Sequence, residues 1–293
     1  MDRISPTNDL AFKKALASVE HIDILHGFIT DFYEIEIADL TINNPYSIAD
    51  YKEILDGLEF VQLRQTIKDI SASFRLVAAK KPNIRDFISE LQLQKSRYFD
   101  ERTLFYPFDR FCKNYNLAEN MEKVATGKPN KYSSLRPIYA LNIMGYTHFD
   151  DTENALHIFE FYDIKRRRRY KRDLIKIAFF ELTKTAGLTA NQRHWLDYFN
   201  SGVVNADAPD YIKKASRLIE LVNLAEEEKM IIAALEKAEA IRIAEIDQGR
   251  FEKAIEIAMR MLSKKEPLEK IIDYTELPPN EILALQANFP QNP

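Results

Sequence analysis

The sequence predicts an α/β core, built from a helix, a mixed sheet, a second helix and a further strand, followed by an all-helical C-terminal region. Two observations support this class. Apolar runs of strand length occur between residues 59 and 93, with helical stretches on both sides of them. From residue 210 onward the apolar spacing is almost wholly helical. We therefore expect a first domain at 1–200 and a helical C-terminal region at 201–293 that ends in a helical hairpin.

The N-terminal elements follow from apolar spacing and turn signals. Residues 7–33 carry an apolar stripe at helical spacing, and Thr7 or Asn8 can cap this helix. Four strand-like runs come next, at 59–61, 67–70, 74–78 and 87–93. The Lys-Lys-Pro-Asn sequence at 80–83 predicts a hairpin turn between the last two strands.

The remaining elements are predicted in the same way. We expect a helix at 96–115 and strands at 137–144 and 158–162. Beyond the turn-rich segment 201–209 we expect one long helix, or two helices that separate near Met230. Helices at 268–274 and 280–285 would form the terminal hairpin, whose acidic side chains favour packing or dimerisation over DNA reading. These acids are Glu266, Glu269, Asp273, Glu276 and Glu281.

The composition is that of an ordinary cytosolic globular protein, with 46% hydrophobic and 29% charged residues. The N-terminus does not read as a signal peptide and no apolar run approaches a membrane span, so we expect no membrane contact. The single cysteine, Cys112, excludes an intrachain disulfide and a cysteine-based zinc cluster. The net charge of −4 disfavours a surface that binds nucleic acid everywhere, but it allows a local basic groove.

The most informative residues form a polar row in an apolar stretch. If 87–94 is a strand, Ile88, Glu90, Gln92 and Gln94 share one face. An acid and two amides on a core strand need partners or a function. Asp69 lies in its own β-prone run, and two acids on neighbouring strands can hold a divalent metal ion for phosphodiester cleavage. On spacing alone, a polar strand face open to solvent is the simpler explanation.

Several short motifs follow one another in a characteristic order along most of residues 5–290. They are Thr-Asn-Asp-Leu-Ala-Phe-Lys-Lys at 7–14, Ser-Glu-Leu-Gln at 89–92, Arg102 with Phe105 and Tyr106, Phe-Glu-Leu-Thr-Lys at 180–184, and Trp195. In this order the chain resembles the PD-(D/E)XK nuclease-family transposases, also called recombination-promoting nuclease-like proteins. The resemblance implies a restriction-endonuclease-like core and a Mg²⁺-dependent DNA endonuclease, with Mn²⁺ as a substitute ion. It also implies a role in recombination, mobile-element biology or defence.

The same resemblance implies roles for individual residues. Asp69 and Glu90 would be the catalytic metal ligands, and the Leu91 carbonyl a further ligand. Gln92 stands where the wider superfamily commonly has lysine, although glutamine is usual in the resembled family. Gln92 can hold a water molecule but cannot act as a base. Asp9 is a candidate additional acid, and its simpler role is as a helix cap or first-turn charge.

Positive charge for a phosphate must come from other residues. Lys95, Arg97 and Arg102 are the nearest candidates, and Arg102 can either clamp a phosphate or pair with an acid such as Asp109. The densest basic block, at 165–172, can bind nucleic-acid phosphates or begin a solvated helix, because the residues after it are apolar. Its central residues are Arg166, Arg167, Arg168 and Arg169.

The identity of the first acid and two alternative functions remain open at this point. The stretch between Asp69 and Glu90 is longer than is usual in the family and has no glycine, so Asp56 and Glu59 are alternatives for the first acid. The competing function is a catalytically inactive nuclease fold that binds DNA or protein through its C-terminal helices, including a homodimer made there. A sequence-specific DNA binder that uses the terminal hairpin is a third. Loss of metal binding and cleavage when Asp69 or Glu90 is neutralised would identify the enzyme.

Overall fold

A mixed six-stranded sheet forms the centre of the computed structural model, which describes residues 3–51, 69–77, 84–116, 122–123, 129–170 and 174–287. In chain order the strands are β1 (Ile37–Ile42), β2 (Asp69–Leu76), β3 (Ile84–Gln92), β4 (Ile138–Met144), β5 (Leu156–Phe159) and β6 (Ile175–Glu181). Their order across the sheet is β1-β2-β3-β4-β6-β5. β3, β4 and β6 run parallel, while the outer pairs β1–β2, β2–β3 and β5–β6 are antiparallel.

Helices flank the strands of the sheet in the chain, and five further α-helices follow the last strand within the described residues. The described α-helices are α1 (Asp9–Ala17), α2 (Ile22–Tyr33), α3 (Phe99–Lys113), α4 (Ala190–Ser201), α5 (Asp210–Leu218), α6 (Glu226–Ser263), α7 (Leu268–Thr275) and α8 (Pro279–Ala287). This arrangement confirms the predicted α/β core with a mixed sheet, followed by helices. Among the described residues, no helix combines the length and the apolar character that crossing a membrane requires.

The first predicted helix is divided in two. Asn8 caps α1 by accepting hydrogen bonds from the backbone N–H groups of Leu10 and Ala11, as one of the two predicted caps would. Ser18 has extended backbone angles, and the Ala17 carbonyl accepts a hydrogen bond from the Tyr46 N–H at 2.8 Å instead of continuing the helix. A single helix over 7–33 was therefore wrong, because a tertiary hydrogen bond ends the first one.

One face of the sheet packs against an aromatic core. The Phe28 ring of α2 lies 4.9 Å from Trp195 of α4 and 6.4 Å from Phe87 of β3, between ring centroids. The Trp195 indole N–H donates to the Asp31 carboxylate at 2.8 Å, and Tyr211 donates to the same carboxylate. These contacts join α2, α4 and α5, and they pack against the face of β3 that contains Phe87.

The other face of β3 is covered by α3. The fully buried Asp86 of β3 accepts hydrogen bonds from Arg110 at 3.0 Å and from Asn114 at 2.9 Å. Ser73 of β2 donates to the other oxygen of the same carboxylate at 2.9 Å. Because a buried carboxylate needs such partners, Asp86 fixes the far end of α3 to the sheet.

Several predicted strands differ in extent or type. The separate runs at 67–70 and 74–78 correspond to one strand, β2, while the runs at 59–61 and the turn at 80–83 lie outside the described residues. The apolar residues after Asp173 form β6, so the prediction of a helix there was wrong. β6 pairs with β4 on one side and β5 on the other, and this pairing decides between helix and strand for a short apolar run.

The chain divides into two compact units, Met1–Lys229 and Met230–Pro293. The second unit has its own core of Ala258, Ile271, Leu277 and Ile282. α7 and α8 form the predicted terminal hairpin, and α6 continues without a break through Met230 and Gly249. The predicted domain boundary between residues 200 and 201 stays a prediction.

Candidate active site

Asp69 and Glu90 lie directly opposite each other in the sheet. β2 and β3 are antiparallel, and their register pairs these two residues at the first residue of β2. Cα atoms of directly opposed residues in such a pair are about 4.5–5.5 Å apart. On its other side, Glu90 pairs with Asn142 of β4. The register therefore places the backbones of Asp69 and Glu90 side by side on neighbouring strands, as predicted.

The Glu90 carboxylate is held by Arg102. Glu90 is only 9% exposed, and its Oε1 forms an ion pair with the Arg102 guanidinium of α3. The same guanidinium donates to Gln92 Oε1 at 3.4 Å and lies 6.0 Å from the centre of the Tyr106 ring. The predicted alternative partner Asp109 instead pairs with Lys113 at 2.6 Å. A carboxylate, an amide and a guanidinium thus meet at the end of β3.

The geometry of α3 brings Arg102 to this place. Arg102, Tyr106 and Arg110 are four residues apart and share one helix face, which is turned toward β3. Arg110 contacts Asp86 and Arg102 contacts Glu90, so the helix runs along the polar row of the strand. At the start of the helix, Phe99 packs in an apolar cluster with residues of β4 and β6.

A pocket of about 240 Å³ lies beside Glu90. Its apolar lining comes from the middle of the sheet, and Thr103, Tyr106 and Pro107 of α3 form the opposite wall. Asn142 also lines it, and the Asn142 side chain donates to the Ala178 carbonyl at 3.2 Å. Sequence analysis missed Asn142; the available signal was an amide in the middle of the otherwise apolar β4. The sheet residues of the lining include Ile70, Ile88, Ala140 and Leu141.

Gln92 is oriented by two contacts. Its amide nitrogen donates to the Gln94 carbonyl, while its amide oxygen accepts from Arg102. β3 continues past Glu90 through Leu91 and Gln92, which pair with Ile143 and Met144 of β4. The amide is therefore placed next to the acid, at the end of the strand, with its oxygen facing the cation.

A match to a family model covers residues 6–270 and is described as PD-(D/E)XK nuclease family transposase. The chain belongs to this family. A search of curated proteins and a search of solved structures gave no significant match. PD-(D/E)XK nucleases generally use divalent metal ions, and their substrate is DNA.

The oxygen donors at the site suit the divalent ion that the PD-(D/E)XK family generally uses. Two carboxylate residues in register and a nearby backbone carbonyl are hard ligands of the type preferred by Mg²⁺ and Mn²⁺. Among the side chains that the structure describes, which do not include that of Asp69, no group of three His, Cys, Asp or Glu residues converges on one point. The donor types on Asp69 and Glu90 are those that such an ion takes, and a metal site built on these two residues stays a prediction.

Two other cations predicted for this PD-(D/E)XK site lie over aromatic rings. Lys95 is 5.9 Å from the centre of the Tyr146 ring, and Arg97 is 5.5 Å from that of Tyr98. Burial and the nearby Asp100 carboxylate raise the pKa of Tyr146 to about 12, so its ring is a neutral phenol at ordinary pH. Both cations follow β3 directly in the chain, and their contact with nucleic acid stays a prediction.

The candidate acid Asp9 is the first residue of α1, next to Asn8, which is the cap. Its predicted role as a cap is therefore wrong, whereas a first-turn charge is what the structure shows. Asp9 is half-buried, and its backbone carbonyl accepts a hydrogen bond from Tyr51 at 3.4 Å. A catalytic use of Asp9 stays a prediction.

The family-like motif at 180–184 has a positioning role. The fully buried Glu181 accepts hydrogen bonds from the backbone N–H groups of His148 and Phe149, and Lys184 donates to it at 2.7 Å. Lys184 also donates to the Phe149 carbonyl. These bonds fix the loop after β4 to the end of β6, beside the row that contains Gln92 and Met144.

The described part of the basic block, residues 165–170, belongs to a short hairpin instead of a helix start. Tyr162–Asp163 pairs with Arg168–Arg169, directly after the edge strand β5. Arg168 lies 3.8 Å from the Asp163 carboxylate, and Arg169 lies 2.9 Å from that of Glu160. The side chains of Arg166 and Arg167 are exposed.

Proposed function

We propose that the protein is a metal-dependent endonuclease that hydrolyses phosphodiester bonds in DNA. The observation that supports this best is the register of Asp69 with Glu90, next to Arg102 and Gln92, in a chain of the PD-(D/E)XK family. Two carboxylates can hold the metal ion that phosphodiester cleavage uses, and an arginine can bind the phosphate oxygens. Recombination, mobile-element biology or defence is the setting that the transposase description suggests.

In this proposal Asp69, Glu90 and the Leu91 carbonyl hold Mg²⁺, for which Mn²⁺ can substitute. When bound, such an ion supplies an activated water and neutralises charge on the phosphate. Gln92 holds the attacking water by donating and accepting hydrogen bonds, but it takes no proton. Its amide oxygen is already turned toward the guanidinium, so the water and phosphate positions are linked through Arg102.

Arg102 has two functions in the proposed site. Without substrate it balances the charge of the buried Glu90 carboxylate. With DNA present, its planar fork can bind two oxygens of one phosphate. Lys95 and Arg97 would contact phosphates next to the cleaved bond, and Arg166, Arg167, Arg168 and Arg169 would contact more distant ones.

The competing function is a nuclease fold without activity that binds DNA or protein through the C-terminal helices. The Glu90–Arg102 ion pair favours it, because an arginine on the central carboxylate occupies an oxygen that a metal ion needs. The exposed Tyr274 and Leu283 of the terminal helices provide apolar surface for a partner or a second copy.

Cleavage of supercoiled plasmid in Mg²⁺ and in EDTA tests the proposal, with Glu90→Gln beside the unaltered protein. Glu101→Gln is the matched control, since it removes an exposed carboxylate from the first turn of α3. We expect nicking that needs the metal ion, disappears in Glu90→Gln and persists in Glu101→Gln. Equal nicking by all three proteins, or none by any, would refute the proposed endonuclease activity. It would favour the alternative, an inactive nuclease fold that binds DNA or protein.

A further inference from the structure

Residues 160–170 form an exposed hairpin, which we call the aromatic arm. It follows β5, the outermost strand of the sheet. Tyr162 pairs with Arg169 and Asp163 with Arg168, and the Tyr170 N–H donates to the Phe161 carbonyl at 2.9 Å. These bonds continue the ladder over three successive cross-strand positions, so the arm is an ordered two-stranded ribbon.

The tip of the arm is a defined turn. The Asp163 carboxylate accepts hydrogen bonds from the backbone N–H groups of Lys165 and Arg166, both at 3.1 Å. Arg167 completes the turn with a φ of 50°, in the left-handed region. An Asx-type turn of this kind fixes the direction in which the tip side chains leave the backbone. The three tip cations are therefore held together at one end of the ribbon.

Aromatic side chains lie along both faces of the arm. Directly paired residues of a ribbon share a face, so Phe161 and Tyr170 lie on one face and Tyr162 lies beside Arg169 on the other. All three rings are open to solvent, at 47% for Phe161, 53% for Tyr162 and 59% for Tyr170. Rings left exposed on an ordered ribbon provide stacking surfaces.

The cations of the arm divide into two groups. Arg168 and Arg169 at the base are paired with Asp163 and Glu160. Lys165, Arg166 and Arg167 at the tip form no ion pair with the residues that the structure describes. Within the described residues, the tip therefore carries three exposed cations beside one carboxylate, that of Asp163, and its excess positive charge is suited to phosphate groups.

We propose that the aromatic arm binds unpaired nucleotides of the DNA substrate. Bases stack on Phe161, Tyr162 and Tyr170, while Lys165, Arg166 and Arg167 neutralise the neighbouring phosphates. In an intact duplex the faces of the bases are already stacked, so exposed rings gain nothing there. Single strands leave those faces free, and stacking on aromatic side chains is the general way proteins hold them. The inference rests on the proposed nuclease function and adds strandedness to it.

Fluorescence anisotropy in EDTA tests the arm without cleavage. The probes are a labelled single strand of twenty nucleotides of mixed sequence and a blunt duplex of the same strand. We expect the unaltered protein to bind the single strand more tightly. The double variant Phe161→Ser/Tyr170→Ser should lose tenfold or more of this affinity, as stacking of about 1–3 kcal/mol per base implies. Tyr132→Ser, which removes a 72% exposed tyrosine elsewhere, is the control and should bind as before.

Salt dependence separates the rings from the tip cations. Replacing Arg166 and Arg167 by Ser should reduce the slope of log affinity against log salt by about 1.4, whereas the ring variant should keep the original slope. Equal affinity for both probes, or an equal loss in Tyr132→Ser, would overturn the proposal. So would arm-dependent binding to vesicles of phosphatidylcholine and phosphatidylserine without binding of the single strand. Single-strand binding without plasmid nicking would refute the nuclease and leave the arm site intact.

Discussion

Arg102 and Glu90 form an ion pair at the end of β3, and Gln92 accepts a hydrogen bond from the same guanidinium. Glu90 has little contact with water, so its charge depends on a nearby cation. A divalent ion and Arg102 would therefore compete for the same carboxylate. Gln92 stands in place of the lysine that is common in the superfamily, so positive charge beside Glu90 comes from Arg102.

Arg102→Met is expected to separate metal binding from cleavage. The variant should bind Mn²⁺ at least as tightly as the unaltered protein, measured by titration calorimetry, since the carboxylate loses its competitor. Plasmid nicking should fall by about 10- to 100-fold, because a charge-assisted contact to the phosphate is lost. Arg193→Met, an exposed arginine on α4, should change neither quantity. Weaker Mn²⁺ binding in Arg102→Met would contradict competition for Glu90.

Glu228 is a second residue whose charge matters, here for stability. It accepts hydrogen bonds from Lys14 at 2.7 Å, from Tyr46 at 2.6 Å and from the Ala225 N–H at 2.9 Å. Burial opposes ionisation, but these donors outweigh it and hold the pKa of Glu228 below its ordinary value. The same contact raises the pKa of Tyr46, after the larger effect of burial. A carboxyl whose pKa is lowered by folding stabilises the fold at pH values above its pKa in the unfolded chain. This stabilisation is lost as the pH falls through the pKa of the folded state.

Glu228→Gln should therefore destabilise the first unit by about 1–3 kcal/mol at pH 7 in urea unfolding. Below the ordinary glutamate pKa of 4.5 the difference from the unaltered protein should shrink, because both side chains become neutral. Glu226→Gln in the same helical turn is the control; its side chain is 85% exposed and should have a small effect at either pH. A difference that stays constant from pH 7 to pH 3 would show that the charge of Glu228 is not responsible.

At the scale of elements, one buried carboxylate, that of Asp86, anchors the C-terminal end of α3 to the sheet. Asp86 accepts hydrogen bonds from Arg110, Asn114 and Ser73, and Arg136 lies 3.7 Å away. The helix that presents Arg102 and Tyr106 to the pocket is thus anchored through the same strand that contains Glu90. Loss of this anchor would displace the guanidinium without touching it.

Asp86→Asn should destabilise the first unit by about 3–5 kcal/mol, because Arg110 and Arg136 would lose their buried counter-charge. Urea unfolding measures this change, and amide exchange across α3 should rise more than exchange across α4. Asp109→Asn, on the same helix but paired only with Lys113 near the surface, is the matched control and should cost about 0–1 kcal/mol. Equal costs for the two variants would show that Asp86 is no special anchor.

The elements also show what the sequence can and cannot predict. β3 and α3 were predicted within a few residues, because alternation in one and helical spacing in the other are local properties. The Asp173 segment was misread, since an apolar run of that length suits helix and strand equally until its neighbours β4 and β5 are known. Asn142 and Glu181 were missed or left without a role for the same reason. Their partners come from distant parts of the chain.

The whole molecule has two compact units with separate apolar cores. In the first, Phe28, Phe87 and Trp195 pack against the sheet, and in the second, Ala258, Ile271 and Ile282 form the core of the terminal hairpin.

Ile271→Ala should destabilise the second unit by about 2–5 kcal/mol, as truncation of a fully buried isoleucine does. Hydrogen exchange should rise in α7 and α8 and stay unchanged in β3 and β4. Faster exchange in β3 would show that the cores are not independent. The exposed Ile243→Ala is the control.

The aromatic core has a consequence for synthesis on the ribosome. Asp69 and Glu90 emerge early, but β4, which pairs with β3, is made later. β6, which pairs with β4, and Trp195, which completes the aromatic core around Phe28, are made later still. Parallel pairing over such long connections forms late in folding. A nascent chain, or a fragment that stops before α4, therefore contains both acids without the support that holds them in register. The proposed cleavage would therefore begin only when the first unit is nearly complete.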